Sequence, residues 1–499
     1  MPTNAKRRKL KILFATSEAV PFCKTGGLGD VAGSLPRALK HAGSKAAVIL
    51  PKYSTIPAEY QEQMTHVAEF GVPLAWRTVY CGIEKLSLQG LDFYFVDNED
   101  YFRRDSLYGY FDDGERYAFF SKAICEAIAH IPELECDVLH CNDWQTALCP
   151  VYLREFYRGI PQCDNVKTVF TVHNVKFQGQ YGDNLLGDIL GLDNVPAARD
   201  QLRCDDHSIN FMKGALCYAD WLTTVSPSYA YELQMPFYGE NLDGIFRRRQ
   251  SILSGILNGI DQSIWNPTTD TMIPAAYSAK DMAGKAECKR ALQEECGLNQ
   301  DPSRPLVVSI GRLTDQKGLG LVRYSMDYLM ERGVQVIILG TGDHDHEEAF
   351  KYFQSKYPGQ MCARIAFDNA LSHRMYAGGD ILLMPSEFEP CGLSQMIAMQ
   401  YGTLPVVRET GGLRDSVQAY NQFTGEGTGF SFANMNADEM AGCLMNACEI
   451  FWTQPEAWAN IQQQAMATDF TWRRAANDYM DIYHGLHPEV IRYNKRRDR

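Results

Sequence analysis

Two near-copies of one glycine-rich turn, Lys24-Thr25-Gly26-Gly27-Leu28-Gly29-Asp30-Val31 and Thr410-Gly411-Gly412-Leu413-Arg414-Asp415, lie in opposite halves of a 499-residue chain. Adjacent glycines let a backbone turn tightly and approach a ligand. A helix that follows offers unpaired N–H groups and the positive end of its dipole to a phosphate or sugar oxygen. The same glycines equally suit a plain strand-to-helix connection. Lys24 adds a cation that can clamp an anion or hydroxyl. Arg312 and Lys317, in Ser309-Ile310-Gly311-Arg312-Leu313-Thr314-Asp315-Gln316-Lys317-Gly318, follow an apolar run. Two fixed cations facing the amides of Thr410, Gly411 and Gly412 could neutralise a departing diphosphate without a metal. In isolation they would be ordinary surface ion pairs.

Glu389 stands in Ser386-Glu387-Phe388-Glu389-Pro390-Cys391-Gly392-Leu393, at a rigid turn where a carboxylate can meet sugar hydroxyls. A bare loop glutamate is otherwise solvated. In the first half, Leu139-His140-Cys141-Asn142-Asp143-Trp144 and Thr171-Val172-His173-Asn174 also end apolar runs. Trp144 supplies a flat face and Asp143 an acceptor, a combination that suits a sugar ring, and His173 would share a crevice with Asp143. Tyr108 belongs to an aromatic, polar loop that either closes over this crevice or packs in the core. Asp343-His344-Asp345-His346 imitates a metal site, but neighbouring residues rarely converge on one ion, so a polar loop is expected there.

The elements that must carry these residues alternate between short apolar strands and amphipathic helices. Strands are predicted at Lys11–Thr16, Ala46–Leu50, Asp137–His140, Lys167–Val172 and Trp221–Val225, then at Leu306–Ile310, Gln335–Leu339, Asp380–Met384 and Leu404–Val407. Such a rhythm implies an α/β chain of parallel sheets covered by helices on both faces, with ligands beyond the strand carboxyl ends. After the first turn Val31, Leu35, Ala38 and Leu39 form one helical face, which Pro36 should kink or displace. Asn258-Gly259 and Trp265-Asn266-Pro267 are turn-forming, which sets the junction near residue 260. Residues 1–259 then form one domain, 260–471 a second, and 472–499 a terminal helix and tail.

The formal charge of −13 argues against general nucleic-acid binding and leaves room for a local basic site. The fifteen cysteines are scattered without paired CxxC spacing, which fits reduced thiols in a cytoplasmic protein and gives zinc no ligand set. The basic start Lys6-Arg7-Arg8-Lys9 precedes an apolar stretch too short for an export signal, and the basic end Lys495–Arg499 reads as frayed. No run approaches the ~20 apolar residues of a membrane span.

Taken together, the Lys24–Val31 turn, Asp143-Trp144, His173-Asn174, Asn258-Gly259, Arg312 with Lys317, Glu389-Pro390-Cys391-Gly392-Leu393 and Thr410-Gly411-Gly412 resemble the bacterial glycogen synthases and plant starch synthases, in order and spacing from about Lys11 to about Tyr483. The resemblance implies a GT-B fold: two Rossmann-like doubly wound domains facing an interdomain cleft, with a C-terminal helix crossing back to the first. It implies retaining transfer of glucose from ADP-glucose to the non-reducing end of an α-1,4-glucan, such as glycogen or a malto-oligosaccharide, with no metal or cofactor and no nucleic-acid or membrane partner. Arg312 and Lys317 would stabilise the diphosphate with the Thr410, Gly411 and Gly412 amides. Glu389 would orient the donor sugar beside Cys391, Gly392 and Leu393, and the His173 carbonyl would lie near the reacting centre. Lys24, Gly26 and Gly27 would engage donor phosphate, while Asp143, Asn258 and Tyr108 would surround the sugars.

This chain departs from that pattern at several positions. Asn142 replaces a second histidine, Glu387 stands where an arginine is common, and Phe367 replaces a tyrosine expected to stack on the base. Stacking survives that exchange and a hydroxyl contact does not. Ile397 occupies the place where other retaining GT-B enzymes often carry a second acid. Two other readings are a catalytically weak glucan-binding scaffold of the same fold, which the intact Lys24, Arg312, Lys317 and Glu389 disfavour, and a phosphorylase, whose cofactor-lysine context is not found.

Overall fold

A computed structural model of the chain describes residues 8–490. Lys6 and Arg7 of the basic start and the basic end at Lys495–Arg499 lie outside the described residues. Arg8 grips Asp137 with both guanidinium arms, at 2.5 Å each. The chain divides into two compact units: the first holds residues 8–225, 230–256 and 472–490, and the second holds Ser226–Tyr229 and Leu257–Thr471.

In the first unit a nine-stranded sheet runs in the order Leu253–Gly255, Trp221–Thr224, Lys167–Val172, Val138–Asn142, Lys11–Ala15, Lys45–Pro51, Leu91–Asp97, Arg77–Leu88, Thr65–Leu74. The pairs from Leu253–Gly255 through Leu91–Asp97 are parallel. The last two strands form an antiparallel extension that the apolar-run pattern does not reveal, because they alternate exposed and covered positions. Chain order reverses between Lys11–Ala15 and Val138–Asn142. That is the switch point, outside whose carboxyl ends doubly wound sheets bind ligands.

The helix after the first turn runs unbroken over Gly27–His41 with Pro36 inside it, so the proline does not displace the helix start. Its buried face carries Leu28, Val31, Leu35 and Leu39, and the helix packs on Trp472–Leu486. Val20 approaches so closely that a Cβ on Gly33 would sit 2.4 Å from the Val20 Cγ2, which fixes a glycine there. Beneath the sheet Tyr483 and His140 share a 2.7 Å hydrogen bond, His140 and Thr171 one of 2.6 Å, and Thr171 and Thr223 one of 2.5 Å. This buried chain of polar groups ties the last described helix to three strands. Full burial holds the His140 pKa down at about 3, so the ring is neutral.

The second unit is a six-stranded, all-parallel sheet in the order Met361–Arg364, Gln335–Leu339, Leu306–Ile310, Ile381–Met384, Leu404–Arg408, Phe430–Phe432. Its switch point lies between Leu306–Ile310 and Ile381–Met384, which sets Arg312 and Glu389 on the two loops that leave it. Lys285 is buried below and donates to the carbonyls of Ala377 and Tyr401 at 3.0 Å and to Thr403 Oγ1 at 2.8 Å. Asp343-His344-Asp345-His346 is not a loop: Asp343 flanks and His344 opens the helix His344–Lys356. His346 turns inward onto Asp315 at 3.0 Å. Among the described residues no group of His, Cys, Asp or Glu is placed to hold a metal ion, and no described helix is long and apolar enough to cross a membrane.

Candidate functional site

In the first unit the switch point gathers Asp143, His173, Tyr108 and the Lys24–Gly27 turn around a residue that pattern reading passed over, Glu18. The loop leaving Lys11–Ala15 buries Glu18, whose Oε2 accepts from the Thr25 N–H at 2.5 Å and the Thr25 hydroxyl at 2.9 Å. Burial raises the Glu18 pKa, opposed by the bonds from Thr25 and Gly26 and by the charge of Lys24. The neighbouring Ser17 hydroxyl meets the Tyr108 hydroxyl at 2.6 Å, which brings Tyr108 to the same strand end. The signal for Glu18 was an acid directly after a buried strand, the position expected of a ligand-facing residue. Lys24 is exposed and rests on Asp30, an acid in the first turn of the helix Gly27–His41, at 2.7 Å.

Asp143 follows Val138–Asn142 with φ 55° and ψ −178°, an extended positive-φ conformation that is nearly confined to glycine, costs another residue about 1–3 kcal/mol and clusters at functional sites. Its Oδ1 accepts from the His173 N–H at 2.7 Å. Burial pushes its pKa up to about 7, against hydrogen bonds from His173 and Asn174 that pull it down. Burial alone lowers that of His173 to about 3, so its imidazole is neutral near pH 7. His173 Nε2 lies 2.9 Å from Asn142 Oδ1, and Asn142 Nδ2 donates to the Ala15 carbonyl at 2.9 Å. Asn142 therefore does not merely replace a histidine: it ties together the carboxyl ends of three adjacent strands, Lys11–Ala15, Val138–Asn142 and Lys167–Val172.

Trp144 is corrected. Its ring is buried among Tyr117, Tyr181 and Phe211, with centroids 5.0, 6.0 and 6.5 Å away, and a Cβ on Gly179 would come within 2.7 Å of it. It is a packing residue that backs Asp143, and its faces are taken up by protein.

The Asp143 pKa sets a pH dependence. The folded state holds the Asp143 proton up to about pH 7, whereas the unfolded chain releases it near 3.8. Between those values the native state binds more protons, so this residue's contribution to stability is full below the lower value and falls as pH rises through the higher. Asp143→Asn is expected to remove that component of the decline in urea-denaturation free energy between pH 4 and pH 7, while retaining an acceptor for the His173 amide. An unchanged slope would refute the shift.

In the second unit Lys317 Nζ lies 2.6 Å from Glu389 Oε2, and the Ser386 hydroxyl donates to the same oxygen at 3.1 Å. The lysine closes the short helical turn Asp315–Lys317. Gly318 follows with φ 72°, and a Cβ there would sit 1.9 Å from the Pro385 carbonyl. Only glycine permits that contact between the two loops of the switch point. Arg312 is exposed, and its guanidinium has no hydrogen-bond or ion-pair partner among the described residues. Phe367 is 88% exposed at the end of Met361–Arg364, an unusual state for a large apolar ring and one suited to stacking. Asn258 is buried and bonds to Cys391, whose thiol is pushed up to about 12 chiefly by burial.

The Thr410–Gly412 turn is also corrected. The Thr410 N–H donates to the Arg408 carbonyl at 2.9 Å and the Gly412 N–H to the Glu389 carbonyl at 3.0 Å. Those two amides are not open donors for a diphosphate. The glycines serve close backbone approach: a Cβ on Gly411 would lie 2.1 Å from the Glu389 carbonyl, and one on Gly412 2.0 Å from that of Cys391. The loop Glu389–Leu393 is thereby seated on the helix Gly411–Ser416. Gln395 Nε2 locks it from beneath, 3.1 Å from the Cys391 carbonyl and 2.9 Å from that of Gly392, whose φ of 72° makes the turn. Leu393 then leads into the helix Ser394–Gln400.

Each unit thus presents a polar, strand-end site: one rich in carboxylate and hydroxyl acceptors, the other carrying cations beside a single buried acid. A profile described as "Starch synthase catalytic domain" matches residues 11–248, and one described as "Glycosyl transferases group 1" matches residues 294–450. The chain is 47% identical over 477 residues to the glycogen synthase of Clostridium novyi (strain NT), covering 96% of this chain and 99% of that protein. The glycogen synthase of Geobacillus stearothermophilus is also 47% identical, with 96% and 98% covered. The solved catalytic domain of starch synthase IV from Arabidopsis thaliana, bound to ADP and acarbose, superposes with a TM-score of 0.88 at 32% identity over 96% of this chain and 99% of that one. A sucrose-phosphate synthase from Thermosynechococcus elongatus, 17% identical with a TM-score of 0.61 over 96% and 100%, shares the fold. The chain belongs to the glycogen and starch synthase family and is a glycosyltransferase of the GT-B fold.

Proposed function

We propose that the protein transfers glucose from ADP-glucose to the non-reducing end of an α-1,4-glucan with retention of configuration. The observation that carries this reading is the Lys317–Glu389 pair at 2.6 Å on the switch point of the second unit. It puts a cation for phosphate and an acceptor for sugar hydroxyls side by side, as a nucleotide-sugar requires. In this reading Glu389 holds the 3- and 4-hydroxyls of the donor glucose, and Lys317 and Arg312 take up the charge that grows on the diphosphate. Phe367 stacks on the adenine. Asp143, Tyr108, Asn258, the His173 carbonyl and the Lys24–Gly27 turn handle the sugars and donor phosphate. The ADP and acarbose bound to the Arabidopsis relative support a nucleotide donor and a glucan-like acceptor.

No carboxylate is assigned as a nucleophile toward the anomeric carbon: Glu389 is engaged by Lys317 and Ser386, and Asp143 accepts from the His173 amide. Retention then proceeds on one face of the sugar: the anomeric C–O bond to the diphosphate breaks, the acceptor 4-oxygen bonds to the same face, and its proton passes to the departing phosphate oxygen. The reading requires no metal and no organic cofactor, because side-chain cations carry the charge.

Parallel turnover assays with ADP-glucose and UDP-glucose on glycogen, with and without EDTA, test it. ADP-glucose is expected to be the better donor by kcat/KM, with EDTA leaving turnover unchanged. Preference for UDP-glucose would overturn the base assignment, and loss of turnover with EDTA would overturn the metal-free mechanism.

A further inference from the structure

At the amino ends of the first unit's strands, opposite the Asp143 and His173 loops, lies an open pocket of about 760 Å³ lined by Arg154, Gln201, Cys217, Tyr218, Arg248 and Arg249, among others. That volume suits a small metabolite. Its charge is strongly one-sided. Arg249 is fixed, donating to the Cys217 carbonyl at 2.6 Å and the Ala219 carbonyl at 2.5 Å. Arg248 is exposed, and its guanidinium has no hydrogen-bond or ion-pair partner among the described residues. Arg154 reaches Asp220 only at 3.6 Å, and the charge of Lys213 also acts on Cys217.

The one lining carboxylate, Asp220, is already engaged: its Oδ2 accepts from the Thr168 N–H at 2.8 Å and the Thr168 hydroxyl at 3.1 Å. Arg248 and Arg154 are left to meet a ligand, in the forked geometry that matches phosphoryl oxygens.

We propose that this pocket binds the phosphoryl group of a small phosphorylated metabolite, as an effector site separate from the catalytic loops. Its walls lie on two of the stretches that lead the chain from the first unit into the second. Asp220 leads through Trp221–Thr224 into Ser226–Tyr229 of the second unit, where the Ser226 hydroxyl donates to the Pro390 carbonyl at 2.6 Å and the Ser228 N–H to Asp415 at 2.7 Å. Arg248 and Arg249 lead through Leu253–Gly255 to Leu257, where the second unit resumes. A bound anion would grip both passages from their first-unit ends. The proposal does not depend on the donor assigned above.

Hydrogen-exchange mass spectrometry on the full chain tests it, since peptides covering 215–222 and 245–252 report on this pocket and not on Lys317. Inorganic phosphate, glucose 1-phosphate and AMP are the probes. Exchange in both peptides is expected to slow by about tenfold with a probe at ten times its dissociation constant. The slowing should disappear in Arg154→Ala/Arg248→Ala, with turnover in probe-free buffer unchanged. The tightest of the three probes distinguishes a bare oxyanion, a sugar phosphate and a nucleotide. No slowing with any probe at about 20 mM, which excludes even millimolar binding, or slowing that persists in the double variant, would overturn the proposal.

Discussion

Lys317→Ala is expected to lower kcat by about 10²- to 10³-fold with ADP-glucose, the scale on which removal of one preorganised charge-stabilising group acts. The loss should appear in kcat more than in KM, because the ammonium gains most as negative charge grows on the departing diphosphate. The same substitution strips Glu389 of its partner at 2.6 Å, in a place where the acid's side chain is 10% exposed and the lysine's 24%. An uncompensated buried carboxylate destabilises by about 1–3 kcal/mol, moderated here by the lysine's partial exposure. Stability and catalysis are separated by Lys317→Met/Glu389→Gln, which replaces both charges with neutral groups of similar size. That double variant should recover urea stability and remain as inactive as the single one. Recovery of turnover along with stability would mean that Lys317 acts only as a structural partner.

Gly412→Ala carries the second large effect. The added methyl would lie 2.0 Å from the Cys391 carbonyl and 2.4 Å from its Cα, and both belong to backbone that cannot rotate away. Overpacking of this kind costs about 3 kcal/mol, and a displacement of the Glu389–Leu393 loop by about 1 Å is enough to cost roughly 10²-fold in turnover. Urea denaturation and ADP-glucose turnover should therefore fall together. A fall in turnover with unchanged stability would indicate that the glycine serves the ligand and not the loop.

These two positions show where sequence reading reached and where it stopped. The strand ends were legible because buried parallel strands read as near-continuous apolar runs: Lys167–Val172, Leu306–Ile310 and Gln335–Leu339 emerge at the bounds their runs suggest. The hairpin Thr65–Leu74 and Arg77–Leu88 was not, since its alternating exposure lacks that signature. A glycine pair announces that a backbone must come close to something, without saying to what. At Gly411 and Gly412 the close partner is the protein's own Glu389–Cys391 backbone.

Trp144 failed as a sugar platform for a related reason. An aromatic after a strand suits a core as well as a ligand, and only the positions of Tyr117, Tyr181 and Phe211 decide between them. Glu18 has a local signal, an acid just after a buried strand, but its bonds to Thr25, seven positions along the chain, belong to the fold. Lys317 and Glu389 were singled out separately, and their pairing across 72 positions belongs to the fold.

The proposed reaction is glucosyl transfer from ADP-glucose, with retention, to the non-reducing end of an α-1,4-glucan. The most direct test is NMR of the product formed from ADP-glucose labelled with ¹³C at glucose C1 and maltotriose as acceptor. One new α-configured C1 signal is expected, correlated with C4 of the former non-reducing residue. A β-configured signal, a linkage at the reducing end, or label recovered only as free glucose would contradict it.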